Sequence, residues 1–88
     1  NNVAKNEEGR YLAEIKIYAT DRQGLIMDIS RIFTEAEVDV KSMNVRTSKQ
    51  GTATVETGFI VCGREQLSRL IAKMRQLEEV IDIERTTG

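Results

Sequence analysis

The chain has 88 residues, 40% hydrophobic, 31% charged and 5% aromatic, with no Pro, His or Trp and one Cys. A chain this short buries roughly 60 to 65% of its unfolded surface, enough for one core and too little for two, so it reads as one small domain. Thirteen basic against fourteen acidic residues leave a net charge of −1, which excludes a whole-molecule field drawing it to nucleic acid or anionic lipid.

Cys62 cannot form a disulfide within the chain, and without His there is no ligand set for zinc, haem or an iron–sulfur cluster. No metal or cofactor is expected, and the setting is read as reducing and cytoplasmic. The longest apolar runs, such as Phe59 to Cys62, fall far short of the roughly 20 residues of a membrane span. The chain opens Asn1-Asn2 rather than with Met and is read as a piece of a longer protein.

Residues 1–10 carry one large apolar side chain, Val3, and read as linker; the domain is assigned to 11–88. From Tyr11 the pattern alternates, with Ala13, Ile15, Ile17 and Ala19 on one face and Glu14, Lys16, Tyr18 and Thr20 on the other, which predicts a half-buried strand. After Asp21-Arg22-Gln23-Gly24 the period becomes helical, with Leu25, Ile29, Ile32, Phe33 and Ala36 on one side. A link at 37–39 leads to a second strand over Val40 to Thr47, in which Met43 and Val45 alternate with Ser42, Asn44 and Arg46. Ser48 to Gly51 is a turn cluster, so a β-hairpin follows. In the third strand Val55, Thr57, Phe59 and Val61 share a face, and Gly58 is expected to mark a bulge. Leu67, Leu70, Ile71, Met74 and Leu77 form the stripe of a second helix, and Val80 to Arg85 alternates as a fourth strand.

The order βαββαβ predicts an α+β, ferredoxin-like sandwich: a four-stranded antiparallel sheet with two helices on one face. The expected core is Ile15, Ile17, Ile29, Phe33, Val45, Phe59, Leu70, Met74 and Ile83, and the other sheet face is left open.

Catalytic chemistry finds little support. Cys62 has no imidazole to deprotonate it and reads as a small, partly buried structural thiol. The carboxylates are scattered over solvated faces. Metal carriage on this scaffold needs a CxxC loop, which is missing, and acylphosphatase chemistry needs a phosphate-cradling Gly-rich run where only Gly24 stands. Base stacking needs aromatics on the first and third strands, where the open face offers Tyr18 alone. Lys16, Lys41, Arg46 and Lys49 make the second strand and its turn somewhat basic, which leaves a phosphate contact open.

The loop from Thr20 to Ile26 is the informative segment. It joins a turn, a glycine and a helix N-terminus, whose unpaired N–H groups and dipole can hold the carboxylate of a small ligand. The same residues also read as a plain strand-to-helix turn capped by Asp21.

The pattern Ile15-x-Ile17-x-Ala19-x-Asp21-Arg22-x-Gly24-Leu25-Ile26-x-Asp28-Ile29, followed by Val38-Asp39-Val40, resembles the ACT domain family. The likeness extends over residues 11–86. The runs Ser42 to Ser48 and Leu67 to Ile71 look most like the C-terminal ACT domain of RelA/SpoT-type enzymes, the GTP pyrophosphokinases that make or hydrolyse (p)ppGpp in the bacterial stringent response. The resemblance implies a non-catalytic regulatory domain that pairs as a homodimer, responds to an effector and acts on catalytic domains upstream. It implies an amino-acid ligand held by Asp21, Arg22, Gln23, Gly24, Leu25 and Ile26, with Asp39 contributed by the neighbouring subunit. Asp21 and Asp39 stand where many serine-binding relatives carry Asn, and Gln23 where Pro is common; an ionised Asp accepts hydrogen bonds only. Two other readings are a module without any small ligand, touching ribosomal RNA through Lys16, Lys41, Arg46 and Lys49 or a partner through the open face with Tyr18, Asn44, Arg46 and Ile60 or the outer faces of the helices, and an amino-acid-sensing domain of another metabolic enzyme.

Overall fold

The structure, a computed structural model, describes residues 9–87. The linker expected over residues 1–10 therefore falls mostly outside the described residues. Alternation builds β1 (Tyr11–Thr20), in which Ala13, Ile15, Ile17 and Ala19 are all buried. The remaining elements are α1 (Leu25–Glu35), β2 (Asp39–Thr47), β3 (Thr52–Val61), α2 (Arg64–Arg75) and β4 (Val80–Thr87). The strands form one antiparallel sheet in the order β2-β3-β1-β4. This is the ferredoxin-like βαββαβ arrangement, with the most apolar strands, β1 and β3, at its centre.

The two helices press their apolar stripes, Leu25, Ile29 and Phe33 from α1 and Leu67, Leu70 and Met74 from α2, onto the inner face of the sheet. Phe33 and Phe59 meet with ring centroids 5.0 Å apart and planes tilted by 52°, an edge-biased geometry that aromatic quadrupoles favour. Helix α1 ends in paired bonds from Glu37 N–H to Thr34 O and from Val38 N–H to Phe33 O. Glu37 sits there at φ 57 in the left-handed position that usually falls to glycine.

Two positions correct the sequence-based core and strand pattern. Val45 faces the helix layer opposite Val55 but is 36% exposed, because the outer end of edge strand β2 runs past the cover of α1. The bulge expected at Gly58 lies in the strand across from it. Val40 pairs with Phe59 and Ser42 with Gly58, so Lys41 is the extra residue. Gly58 answers that bulge: its N–H donates to Ser42 Oγ at 3.1 Å, and a Cβ there would lie 2.9 Å from that oxygen. The buried Thr57 hydroxyl donates to the Ser42 carbonyl at 2.8 Å, which satisfies the one buried polar side chain among the described residues. A second irregularity, between Tyr18 and Ala19 on β1, leaves Ile81 of β4 exposed while Ile83 stays buried.

Candidate functional site

The β1–α1 junction is assembled from three stretches of chain. At the end of β1, Thr20 N–H donates to Glu79 O at 2.9 Å and Asp21 N–H to Gly51 O at 2.9 Å. The hairpin turn at Gly51, itself at φ 84, thus buttresses the loop from one side and the turn before β4 from the other. The loop then closes on itself through Leu25 N–H to Arg22 O at 3.2 Å, and α1 starts with Asp28 N–H on Gly24 O at 3.1 Å. Gly24 permits this at φ 85, a conformation that costs an L-residue strain. No side chain caps the helix. The Asp21 cap is therefore not formed, and Asp21 is exposed. Without a cap, the Ile26 and Met27 N–H groups at the first turn have no intrahelical acceptor and are left to solvent or a ligand.

Arg22 does not project from this loop but folds across it. Its Nη2 donates to Asp28 Oδ2 at 2.7 Å, its Nε lies 2.9 Å from Glu79 Oε2, and its Nη1 donates to the Gln23 carbonyl at 3.1 Å. Arg31 Nη1 takes the other Asp28 oxygen at 2.9 Å. The hydrogen bond from Arg22, foremost, holds the Asp28 and Glu79 carboxyls below their ordinary range, and those two carboxylates, Glu79 first, push the Arg22 guanidinium further up. The network is ionised throughout the neutral range and fixes the loop with charge-assisted bonds.

The seven residues expected at the site are not all in one place. Asp21, Gln23 and Gly24 are exposed on the loop, Arg22 and Ile26 are half-buried, and Leu25 is 1% exposed with its side chain in the core. Asp39 lies at the opposite end of the sheet, paired with Ile60, while Asp21 bonds to Gly51. Nine positions of strand separate those anchors, about 30 Å. Within one chain Asp39 cannot meet the loop. Beside Asp39 is a recess of about 380 Å³ between α1 and the β2 edge, floored by Phe33, Val38, Val40 and Met43 and rimmed by Ser30 and Thr34. Asp28 and Glu79 were not among the expected site residues. An acidic residue in the first turn of a helix was a visible signal for Asp28, whereas nothing local marks Glu79.

Of the four bases that left a phosphate contact open, Lys16 lies 3.4 Å from Glu56 and Lys41 2.9 Å from Asp39. Tyr18 donates its hydroxyl to Glu84 at 3.2 Å on the same open face. Cys62 is exposed just after β3, not partly buried as expected. Among the described residues no group of His, Cys, Asp and Glu is placed to hold a metal ion, and no helix is long and apolar enough to cross a membrane.

Comparison with known proteins gives a consistent result. The family model of the ACT domain matches residues 7–85. The GTP pyrophosphokinase of Escherichia coli is 32% identical over 79 residues, which cover 89% of this chain and 11% of that protein. The Streptomyces coelicolor GTP pyrophosphokinase is 29% identical over 85 residues, covering 97% of this chain and 10% of that protein. The chain thus spans about a tenth of the length of the curated relatives it matches. In fold it is similar to the crystal structure of the ACT domain from the GTP pyrophosphokinase of Chlorobium tepidum. That likeness has a TM-score of 0.77 at 24% identity, over 86% of this chain and 97% of that one.

Proposed function

Because this chain belongs to the ACT domain family, we propose that it is a non-catalytic regulatory module, in which a small amino acid bound between two copies controls pairing and through it the catalytic domains of a GTP pyrophosphokinase. The observation that carries this reading is the sheet order. Strand β2 is an edge, so its outward N–H and C=O groups are free to pair with a second copy. Antiparallel pairing of two β2 edges brings the start of one β2 to the end of the other. Asp39 of the partner subunit then reaches the β1–α1 loop, a meeting that a single chain forbids.

The chemistry of the two halves is complementary to an amino acid. The open Ile26 and Met27 N–H groups at the positive end of α1 suit its carboxylate. Asp21 and Asp39 of the partner subunit, acceptors only, suit its ammonium. The apolar floor of the recess under β2 suits a hydrocarbon side chain. Binding across the interface favours the pair by the ligand's differential affinity for it, which is what a regulatory signal requires.

Two-dimensional amide NMR on this chain, with the twenty amino acids added at millimolar concentration, tests the proposal. The expected result is saturable shifts at 21–26 together with Asp39, accompanied by a rise in sedimenting mass to that of a dimer. Shifts at the loop without Asp39, and without a change in mass, would remove the shared site. No shifts at all would remove the effector.

A further inference from the structure

One residue on the turn between α2 and β4 grips the loop twice. The Glu79 carbonyl accepts the Thr20 N–H at 2.9 Å, and its carboxylate takes Arg22 Nε at 2.9 Å and Nη2 at 3.2 Å. With Nη2 also on Asp28 at 2.7 Å, the guanidinium spans the loop, the first turn of α1 and the α2–β4 turn. Arg22 Nη1 lies 3.3 Å from the point where a side chain on Gly24 would begin, so the same group walls one side of the Gly24 backbone.

From this convergence we propose that Glu79 is a positioning residue for the β1–α1 loop. It holds Arg22 against Asp28, and Arg22 in turn sets the Gly24 backbone and the open start of α1 in the form that receives a ligand. The inference rests on the assignment of that loop as the effector site. The planar fork of arginine is what allows one side chain to engage two carboxylates in fixed directions. The three side chains are sheltered, at 35%, 27% and 21% exposure for Arg22, Asp28 and Glu79. It follows that seating of the α2–β4 turn and occupancy of the loop are linked, each favouring the other by the same factor. An ion pair that merely stabilised the turn would leave ligand affinity alone.

The test compares this 88-residue chain with Glu79→Gln, which keeps the shape and removes the charge, and with Glu79→Ala. Amide hydrogen exchange is followed at Asp21, Leu25 and Asp28, with Ile15 and Ile17 of β1 as references, and binding is measured with each of the twenty amino acids. Loop exchange is expected to quicken about tenfold in Glu79→Ala and by less in Glu79→Gln, with the references unmoved. Any amino acid that binds the unmodified chain is expected to bind Glu79→Ala about three- to tenfold more weakly. Loop exchange equal to that of the unmodified chain overturns the proposal, and so does faster exchange with unaltered affinity. If no amino acid binds the unmodified chain, the effector assignment fails instead, and the exchange result alone decides whether Glu79 holds the loop. Should Glu79→Ala not fold, Glu79→Gln decides by the same readouts.

Discussion

The fold contains two strand-to-helix junctions, β1–α1 and β3–α2, and they solve one problem in different ways. Both helices start after a glycine at positive φ, Gly24 at 85 and Gly63 at 122, and neither has a side-chain cap. At the second junction only Cys62 and Gly63 intervene, and Gln66, in the first turn of α2, accepts the Cys62 N–H on its side-chain oxygen. Gln66 thus reaches past the Gly63 cap position to the residue before it, which ties the junction with its own residues and leaves the first-turn N–H groups of α2 uncapped. At the first junction four residues intervene, and none of the first-turn side chains of α1 turns back to cap the helix. The loop is held instead by Asp28 and by Glu79 from another element. Both helix starts keep uncapped N–H groups, so the contrast lies in the brace: the first junction is tied by side chains to another element, the α2–β4 turn, and the second to its own first turn.

The largest way to test the contrast is to cut the anchor beneath each junction. Leu25 and Leu67 are both 1% exposed and hold the first turns of their helices to the core. Each substitution to Ala is expected to cost about 2–5 kcal/mol, read by urea denaturation. Equal losses would place Leu25 with the core side chains. A loss at Leu25 within about 0.5 kcal/mol of zero, the range of surface substitutions, would return it to the ligand set.

The glycines give the next effect and separate the two turns further. Gly63 combines φ 122 with ψ 174, and a Cβ there would meet nothing within 4 Å. Gly63→Ala is thus a purely conformational change in a region that is essentially glycine-only, with an expected loss of about 1–3 kcal/mol. Amides at 21–28 should not shift. Gly24 is in the milder left-handed region, so Gly24→Ala should cost about 1–2 kcal/mol, but its Cβ presses on Arg22 Nη1 and should move the amides of Gln23 and Asp28. Thermal melts and amide spectra of the two variants check both halves. A Gly63 variant that disturbed the first loop would erase the distinction between the junctions.

Much of this arrangement is legible in the sequence because it is written in period and turn chemistry. Alternation over Tyr11–Thr20 and the apolar stripe from Leu25 to Phe33 place β1 and α1, and a glycine after Ser48-Lys49-Gln50 gives the hairpin. The bulge in β2 also has a trace, since Val38 and Val40 occupy even positions and Met43 and Val45 odd ones, a change of phase that only an extra residue reconciles. The exposure of Val45 has no such trace, because it depends on how far α1 reaches across the sheet. The same holds for the candidate site. The loop and its glycine are local and could be read, but the bond between Arg22 and Glu79 spans 57 positions and depends on where the α2–β4 turn comes to rest. For Asp39, the distance from the loop follows from strand order rather than from any residue nearby.

Charge gives the smallest effect and the most selective one. The ordinary values for Asp28 and Glu79 are 3.8 and 4.5, and Arg22 lowers both in the folded chain. A carboxyl lowered on folding adds stability that is fully present above its unfolded value and is lost as pH falls through the folded one. The network should therefore stabilise the fold at neutral pH and stop doing so once the pH drops well below 3.8. In Arg22→Met the main cause of the lowering is gone, with Arg31 still beside Asp28, so that variant should lose less stability than the unmodified chain between about pH 7 and about pH 3. Gln66→Ala, the matching cut at the second junction, removes no charge and should shift stability equally at both pH values. Effects of acid elsewhere in the molecule are common to the three chains and cancel in the differences. Urea denaturation of the three chains at the two pH values decides it. If Arg22→Met and Gln66→Ala respond to acid alike, the guanidinium is not what holds the first junction.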